Sequence, residues 1–227
     1  SYGVRLDGSA RSKVASNSIV TNGYDVSVAG TVAGRFTDTS YTLDAPSTAK
    51  ATGAITGNDE QVTGNRIGIF LNGTKAPGSG SAGISVWSGT SRVLVQDNTI
   101  AGHSSNEISL SRGSGHQVLK NRLGVDPTGA TVLGGTLGIV AQGTVDASIG
   151  TSTTTGNQLG GLTGTAILVN TFSDSPGTGA KVVGNRIGLL ADGTTAAPIG
   201  GAGVAATAPK VTIGPDNVIA NSAAGGV

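Results

Sequence analysis

The sequence contains no cysteine among its 227 residues and only two histidines, His103 and His116. The absence of cysteine excludes disulfides and thiolate-bound metal, and two histidines are too few for a histidine-based metal cluster. We therefore expect neither a metal site nor a bound cofactor. The spacing of the two histidines relative to Glu107, Arg112 and Lys120 matches no catalytic template, so we expect both histidines to lie on the surface.

Charged residues and long apolar segments are also scarce. Charged residues make up 12% of the chain, and 14 basic residues nearly balance 13 acidic ones. This composition gives no support for nucleic-acid binding, which depends on a clustered excess of basic residues. No apolar run approaches the length of about 18 residues that a membrane span requires, so we expect no membrane-spanning segment.

Aromatic residues are rare as well, at 3% of the chain with a single tryptophan, whereas glycine is abundant at 39 residues. An interior with so few aromatic side chains is expected to be narrow and filled by Val, Ile and Leu. Glycine is favoured at tight corners where φ is positive. The composition therefore indicates many short strands and corners rather than a wide globular interior.

One pattern recurs along the whole chain: an asparagine followed two residues later by isoleucine or leucine. The seven asparagines are Asn17, Asn65, Asn98, Asn121, Asn157, Asn185 and Asn217. Such regular recurrence is typical of a solenoid, in which each coil places the same residue on its copy in the next coil. We expect the asparagines to form a hydrogen-bonded ladder, since stacked strands lie about 4.8 Å apart. Because asparagine tolerates a left-handed backbone, we also expect it to form the corner.

The segments that follow the asparagines alternate between short and long. The next apolar pair arrives 9 or 10 residues after Asn17, Asn98, Asn157 and Asn217, but 18 or 19 residues after Asn65, Asn121 and Asn185. The repeat is therefore two coils long, near 60 residues. The pattern predicts an all-β fold, a parallel β-solenoid of about seven coils.

One stretch departs from this rhythm. Val26 to Asn65 spans 39 residues, whereas the corresponding segment two coils later spans only 13. We predict a single β-helix segment over residues 1–227, with an inserted loop at about residues 31–60. The sequence begins directly in a coil and stops as the next strand starts, so we expect a fragment of a longer protein. Further coils of that protein, or self-association through the solenoid ends, would then be partners.

Three segments resemble repeats of a known family: GNRIGIFLNGTKAPGSGSAGISV, KNRLGVDPTGATVLGGTLGIV and GNRIGLLADGTTAAPIGGAGVAA. They look like the right-handed parallel β-helix repeats of the pectate-lyase-like superfamily, as found in large secreted and surface-exposed bacterial proteins. The resemblance implies a right-handed parallel β-helix and an extracellular or bacterial cell-surface location. It does not choose an activity, since this superfamily includes lyases, epimerases, tailspikes and non-catalytic adhesin stalks.

The densest group of carboxylates lies in the predicted insertion and comprises Asp38, Asp44, Asp59 and Glu60. Two of these residues could act as acid and base in glycoside hydrolysis. The alternative is a solvated loop, because the same stretch is rich in Ser, Thr and Ala. Most other aspartates stand beside Gly, Pro or Asn, which indicates turns.

Three arginines recur at one place in the repeat. Arg66, Arg122 and Arg186 each stand between a ladder asparagine and an apolar residue, so strand alternation points them outward. They occur in the long coils only, which predicts a row with a spacing of roughly 9.5 Å. Such a row could bind the carboxylates or sulfates of an acidic polysaccharide. The alternative is that the arginines only keep one face soluble.

These observations favour a non-catalytic structural or adhesive segment of an extracellular or cell-surface β-helix with weak glycan binding. Extracellular polysaccharides or cell-surface glycans would be its partners. The alternative is a polysaccharide-active enzyme: a lyase, an epimerase or a tailspike-like glycoside hydrolase. The scatter of charge along the chain favours the first hypothesis, because an enzyme should gather several carboxylates and a base in one groove.

Overall fold

The computed structural model describes residues 2–7, 13–19, 24–29, 58–77 and 79–227, and within these ranges it contains short strands and no helix. In chain order the strands are β1 (Tyr2–Asp7), β2 (Lys13–Ala15), β3 (Ser18–Ile19), β4 (Tyr24–Ala29), β5 (Gln61–Thr63), β6 (Arg66–Ile67), β7 (Ala82–Val86), β8 (Leu94–Gln96), β9 (Thr99–Ile100), β10 (Asn106–Ser111), β11 (Gln117–Leu119), β12 (Arg122–Leu123), β13 (Leu137–Gln142), β14 (Ser148–Ile149), β15 (Gln158–Leu159), β16 (Ile167–Asn170), β17 (Lys181–Val182), β18 (Arg186–Ile187), β19 (Val204–Ala206), β20 (Thr212–Ile213) and β21 (Val218–Ile219). Most of the predicted insertion, including Asp38 and Asp44, lies outside the described residues.

Every third strand belongs to the same sheet. The first sheet has the order β1-β4-β7-β10-β13-β16-β19, the second β2-β5-β8-β11-β14-β17-β20, and the third β3-β6-β9-β12-β15-β18-β21. All neighbouring strands within the three sheets are parallel. One coil therefore contains one strand from each sheet, and seven coils stack. The prediction of an all-β parallel β-helix of about seven coils is confirmed.

The register places similar apolar residues on top of one another. In the second sheet, Val62, Val95, Val118, Ile149 and Val182 are successive partners, and all are fully buried. Branched side chains stacked in this way fill a narrow interior at high density without needing aromatic rings. The core is therefore an aliphatic column enclosed by three sheets.

The long coils carry a hairpin after the third sheet, and the short coils that follow Ile100 and Leu159 turn directly into the first sheet. Antiparallel bridges close the hairpins between Ile69 and Lys75, between Val125 and Val132, and between Leu189 and Ala196. Successive hairpins also contact each other across an intervening short coil, since the Ala191 N–H donates to the Gly129 carbonyl at 2.8 Å. The two-coil repeat corresponds to this alternation.

At six of the seven ladder asparagines the left-handed backbone of the corner lies one residue before the asparagine, and Gly156 is the exception. Positive φ angles between 55° and 69° occur at Ser16, Gly64, Asp97, Lys120, Gly184 and Asp216. None of the seven ladder asparagines, all of which are described, has a positive φ. The expectation that asparagine itself forms the left-handed corner is therefore wrong. The preceding residue makes the bend, and the asparagine side chain is then directed along the stack.

Both histidines are buried, so the expectation of surface histidines is also wrong. His103 is 1% exposed and His116 is 0% exposed. The His116 Nε2 lies 3.2 Å from the Arg112 carbonyl oxygen, and its Nδ1 lies 3.3 Å from the Val93 backbone nitrogen. A neutral ring that donates at Nε2 and accepts at Nδ1 satisfies both contacts. The His103 Nδ1 lies 2.5 Å from the Glu107 Oε2.

The environment of His116 predicts an acid-sensitive stability. Burial lowers the pKa of His116 to about 4, against a smaller opposing effect of the Arg112 carbonyl. The unfolded chain binds a proton at this ring below its ordinary pKa of about 6.5, whereas the folded chain does so only near 4. The contribution of His116 to the free energy of unfolding is therefore fully present above a pH of about 6.5. It is lost as the pH falls from about 6.5 towards about 4. The slope contributed by this one histidine should reach about 1.4 kcal/mol per pH unit.

Urea unfolding of the wild type and of His116→Gln, at several pH values from about 4 to about 7.5, checks this expectation. The variant should be less stable at neutral pH but should show a shallower pH dependence between the two pKa values. Parallel pH profiles for the two proteins would contradict the assignment of a neutral, buried imidazole.

Candidate functional site: a cationic groove beside the asparagine column

A continuous column of hydrogen-bonded asparagines runs along the corner between the second and third sheets. Its members are Asn17, Asn65, Asn98, Asn121, Asn157, Asn185 and Asn217. The Nδ2 of each donates to the Oδ1 of the next at 2.9–3.1 Å. The same Oδ1 also accepts the backbone N–H of the preceding asparagine. Each side chain thus joins its own coil to the adjacent coils.

The column is an internal structural element. The five central asparagines, from Asn65 to Asn185, are each 1% exposed. Their Nδ2 groups also donate to a carbonyl of the preceding coil, for example from Asn121 to Val95 at 2.9 Å. Buried amides satisfied in this way stabilise the stack and leave little capacity for an external ligand.

The residues after the asparagines form the outward row of the third sheet. The row runs through Ser18, Arg66, Thr99, Arg122, Gln158, Arg186 and Val218 as successive Cα partners. The three arginines therefore lie in one row and occupy every second coil. At the strand spacing of a sheet, consecutive arginines are roughly 9.5 Å apart.

The three arginines differ in how their side chains are held. The Arg66 Nη1 donates to the Leu71 carbonyl at 2.6 Å, and the Arg186 Nη1 donates to the Ala191 carbonyl at 2.9 Å. Each of these two side chains thus folds over the hairpin of its own coil. The exposed Arg122 side chain makes no hydrogen bond or ion pair with any described residue. Arg122 therefore has its full set of N–H donors available.

Arg122 and Arg186 line one surface groove of about 420 Å³ together with Lys120, and we call it the cationic groove. Gln158 lies between the two arginines in the row, but its side chain turns aside to the hairpins. Its Nε2 donates to the Gly129 carbonyl at 2.9 Å. The space between the two guanidinium groups therefore remains open to a ligand.

Two glycines deepen the groove at the position before the asparagines. A Cβ on Gly156 would overlap the Gly184 carbonyl, and a Cβ on Gly184 would overlap the Ser152 carbonyl. Close backbone packing therefore excludes side chains from this part of the lining. The turn containing Thr153 and Thr154 forms a wall of the groove and offers hydroxyl groups.

The groove contains two carboxylates as well, Asp97 and Asp216. They precede β9 and β21, which are four coils apart in the third sheet, so they lie roughly 19 Å from each other along the stack. Glycosidase carboxylates lie about 5–10 Å apart. Asp97 and Asp216 are therefore too distant to act as an acid and base on one bond, and the basic side chains lie between them.

The described members of the carboxylate cluster, Asp59 and Glu60, lie in different environments. Asp59 accepts hydrogen bonds from the Arg92 Nε at 2.6 Å and Nη2 at 3.0 Å, which raise the pKa of Arg92. The Glu60 side chain is fully buried. Backbone hydrogen bonds join both residues to the next coil, with the Asp59 N–H donating to the Ser91 carbonyl and the Leu94 N–H donating to the Glu60 carbonyl. Glu60 is therefore not solvated, whereas the Asp59 side chain is 39% exposed and lies at the surface.

Other polar side chains at the surface stabilise turns. In the three hairpins, Asn72, Asp126 and Asp192 each accept backbone N–H groups that follow them in the chain. Hydrogen bonds led by the Thr195 hydroxyl lower the pKa of Asp192 to about 2. The Asn72 amide and the carboxylates of Asp126 and Asp192 therefore act as turn acceptors.

Two kinds of site are absent from the described ranges. No group of three or more His, Cys, Asp or Glu side chains there is arranged to hold a metal ion. No helix in these ranges has the length and apolar character needed to cross a membrane.

The fold and the cationic groove define a parallel β-helix repeat protein with a basic surface groove along one corner. Comparison with protein-family models, with curated proteins and with solved structures found no match for this chain.

Sequence reasoning did not predict that Lys120 and Gln158 line the groove. The position of Lys120 could have been predicted from the sequence. Lys120 precedes Asn121 and Arg122 follows it, so both residues lie at the same corner of the coil. The orientation of Gln158 leaves no such signal. It depends on a hydrogen bond to a hairpin 29 residues away in the chain.

Proposed function

We propose that this chain is a structural segment of an extracellular or bacterial cell-surface β-helix whose cationic groove binds acidic polysaccharide weakly. The resemblance of its repeats to those of large secreted β-helix proteins supports the setting. The solenoid is a rigid spacer, because every coil is hydrogen-bonded to its neighbours along three sheets and the asparagine column. The groove supplies the binding surface.

The observation that carries the proposal is the guanidinium of Arg122, which binds no acceptor in the described part of the chain and lines the groove with Lys120 and Arg186. An arginine fork that binds no protein acceptor can make a bidentate contact with a carboxylate or a sulfate. Arg186 donates one hydrogen bond from its Nη1 to the Ala191 carbonyl, and its other N–H groups remain available to a ligand. A ligand with repeated anionic groups along the stack could therefore contact both guanidinium groups at once.

The exposure of these side chains sets the expected strength. Ion pairs at a protein surface contribute up to about 1 kcal/mol each and are screened by salt. Asp97 and Asp216 reduce the net attraction at the two ends of the groove. We therefore expect weak binding that depends on several contacts, as is usual for a surface that adheres through many copies.

An enzyme of polysaccharide chemistry is the other hypothesis. The two groove carboxylates are too far apart for it, and Asp59 is paired with Arg92. Asp38 and Asp44 lie outside the described residues, so their proposed acid and base roles stay predictions. No observation on the described surface favours this second function.

The proposal predicts selective loss of binding when the groove arginines are neutralised. Oligogalacturonate and dextran sulfate are titrated calorimetrically into the wild type, Arg122→Gln and the double variant Arg122→Gln/Arg186→Gln. Binding should weaken by up to about fivefold for each arginine removed, since each contact contributes up to about 1 kcal/mol. Raising NaCl from about 20 mM to about 150 mM should weaken binding by the wild type.

Two controls separate binding in the groove from an effect of net charge or of the uncharged polymer. Lys181→Gln removes the same charge from the exposed face of the second sheet, outside the groove, and should bind as the wild type does. Uncharged dextran should not compete. Binding that Lys181→Gln weakens as much as Arg122→Gln would assign the effect to net charge, and no binding at low salt would remove the proposal.

A further inference from the structure

A second cavity lies on the outer face of the first sheet, away from the cationic groove. Its volume is about 180 Å³, and its lining includes Ser81, Ser85, Trp87, Asn106, Ser109 and Ser111. These residues come from strands β7 and β10 and the segments beside them, so the cavity spans two adjacent coils.

Strand register assembles this lining. Ser85 and Ser109 are direct Cα partners, and Asn106 is the partner of Ala82. The apolar partners in the same strands, Ile84 and Ile108, are buried in the core, so strand alternation directs the serines to the outer face. The small side chain of Ala82 leaves depth beside Asn106. The cavity is therefore built from paired positions of the repeat.

Four polar side chains of this lining, those of Ser85, Asn106, Ser109 and Ser111, have unused hydrogen-bonding capacity. Ser85 is only 4% exposed, yet its hydroxyl makes no hydrogen bond to protein among the described residues. The side chains of Asn106, Ser109 and Ser111 likewise make none within the described part of the chain. The Ser85 hydroxyl is not one of the fully buried side-chain atoms that lack a partner in the described residues, so solvent in the cavity can reach it and a ligand hydroxyl can replace that water. The cavity therefore presents hydroxyl and amide groups that a ligand can use.

No charged side chain of the described residues lines the cavity. An anionic or cationic ligand would lose its hydration there without gaining an opposite charge, and an apolar ligand would leave the hydroxyl groups unsatisfied. A neutral ligand rich in hydroxyl groups meets both conditions. Trp87 adds an aromatic surface against which the C–H face of a sugar ring can pack.

We propose that this cavity binds one ring of a neutral sugar, with Ser85, Asn106 and Ser109 as hydrogen-bonding residues and Trp87 as the packing surface. The volume fits this size of ligand, because sites for larger ligands usually enclose about 300–1,000 Å³. The site is independent of the cationic groove in both position and chemistry. A neutral glycan could thus be held on one face while an acidic one is held at the corner.

Trp87 is the only tryptophan in the chain, so its fluorescence reports on this cavity alone. Glucose, galactose, mannose and N-acetylglucosamine are titrated into the wild-type protein. We expect a saturable change in tryptophan emission for at least one of them, with an affinity in the millimolar range. Because no charge is involved, the affinity should not change with NaCl. This salt independence separates the result from binding in the cationic groove.

The double variant Ser85→Ala/Ser109→Ala removes two hydroxyl groups with little change of shape. It should weaken binding about tenfold or more, since each hydrogen bond contributes about 1 kcal/mol. The control Ser148→Ala, on the second sheet, should bind as the wild type does. Circular dichroism confirms that each variant retains its β structure.

Two outcomes would overturn the proposal. A fluorescence change that stays linear in sugar concentration, or is absent for every sugar, would show that no site exists. Saturable binding that the double serine variant retains in full would place the sugar elsewhere. Calorimetry on Trp87→Phe, which keeps an aromatic ring, should still detect binding, although more weakly.

Discussion

Replacement of Asn121 by alanine should lower the free energy of unfolding by about 4 kcal/mol. The side chain of Asn121 takes part in four hydrogen bonds, which connect it to Asn98, Asn157 and Val95. Each contributes about 1 kcal/mol net, and the buried Asn98 N–H would be left without its acceptor. A single residue therefore links three successive coils, which is why the effect should exceed that of an ordinary surface change.

Asn106→Ala is the matched control, because Asn106 is half-buried and its side chain makes no hydrogen bond to the described residues. That variant should lose less than about 1 kcal/mol. Urea unfolding at neutral pH measures both values. Equal stability of the two variants would mean that the asparagine column contributes nothing beyond an ordinary side chain.

Glu107→Ala should destabilise the fold by about 3–5 kcal/mol. The side chains of Glu107 and His103 are both 0% exposed, and the Glu107 Oε2 lies 2.5 Å from the His103 Nδ1. The Glu107 Oε1 also accepts the His103 backbone N–H at 3.3 Å. Removal of the carboxylate leaves two buried donors without this acceptor, and a buried polar group without its partner is far more costly than an exposed one.

A double-mutant cycle with His103→Leu and Glu107→Leu separates the interaction from the volume of the side chains. The double variant should be more stable than the sum of the two single losses predicts, by about 1–3 kcal/mol, because it leaves neither member of the pair alone in the interior. Strictly additive losses would show that His103 and Glu107 do not depend on each other.

The fold could be predicted from the sequence because stacking repeats the same requirement in every coil. A position that must be apolar, such as Val95, has Val62 and Val118 as its neighbours, so the pattern appears repeatedly along the chain. The same repetition placed Arg66, Arg122 and Arg186 in one outward row. Periodic constraints of this kind are visible in a single sequence.

Features that occur once are not visible in this way. His103 and Glu107 lie in a corner that has no equivalent pair in other coils, so nothing in their spacing indicated burial. The difference between Arg122 and Arg186 depends on whether a hairpin carbonyl lies within reach of the side chain. The serine-lined cavity beside Trp87 likewise depends on the pairing of two particular strands. Such contacts are tertiary, and they decide where a ligand can bind.

The left-handed corner is an intermediate case. Asparagine tolerates a positive φ, which made it the obvious residue for the bend. In the column, however, both ends of its amide are needed to reach the adjacent coils. The bend therefore falls on the preceding residue, even where that residue is Lys120 with a φ of 55°. A hydrogen-bonding requirement outweighed the intrinsic backbone preference.

Distances between spin labels along one row of the stack test the central claim, that the chain forms coils in this register and thereby aligns the groove. The chain has no cysteine, so pairs of cysteines can be introduced without background labelling. Lys13, Gln61, Lys181 and Thr212 are exposed and belong to one outward row of the second sheet. Labels on Gln61 and Lys181, on Gln61 and Thr212, and on Lys13 and Thr212 span four, five and six coils.

Double electron–electron resonance should give separations of about 19, 24 and 29 Å for these three pairs, after allowance for the label linkers. The increment of about 4.8 Å for each coil is the predicted result, and it does not depend on how many residues separate the labels in the chain. Separations that fail to increase with the number of coils would contradict the stacked register and the alignment of Arg122 with Arg186.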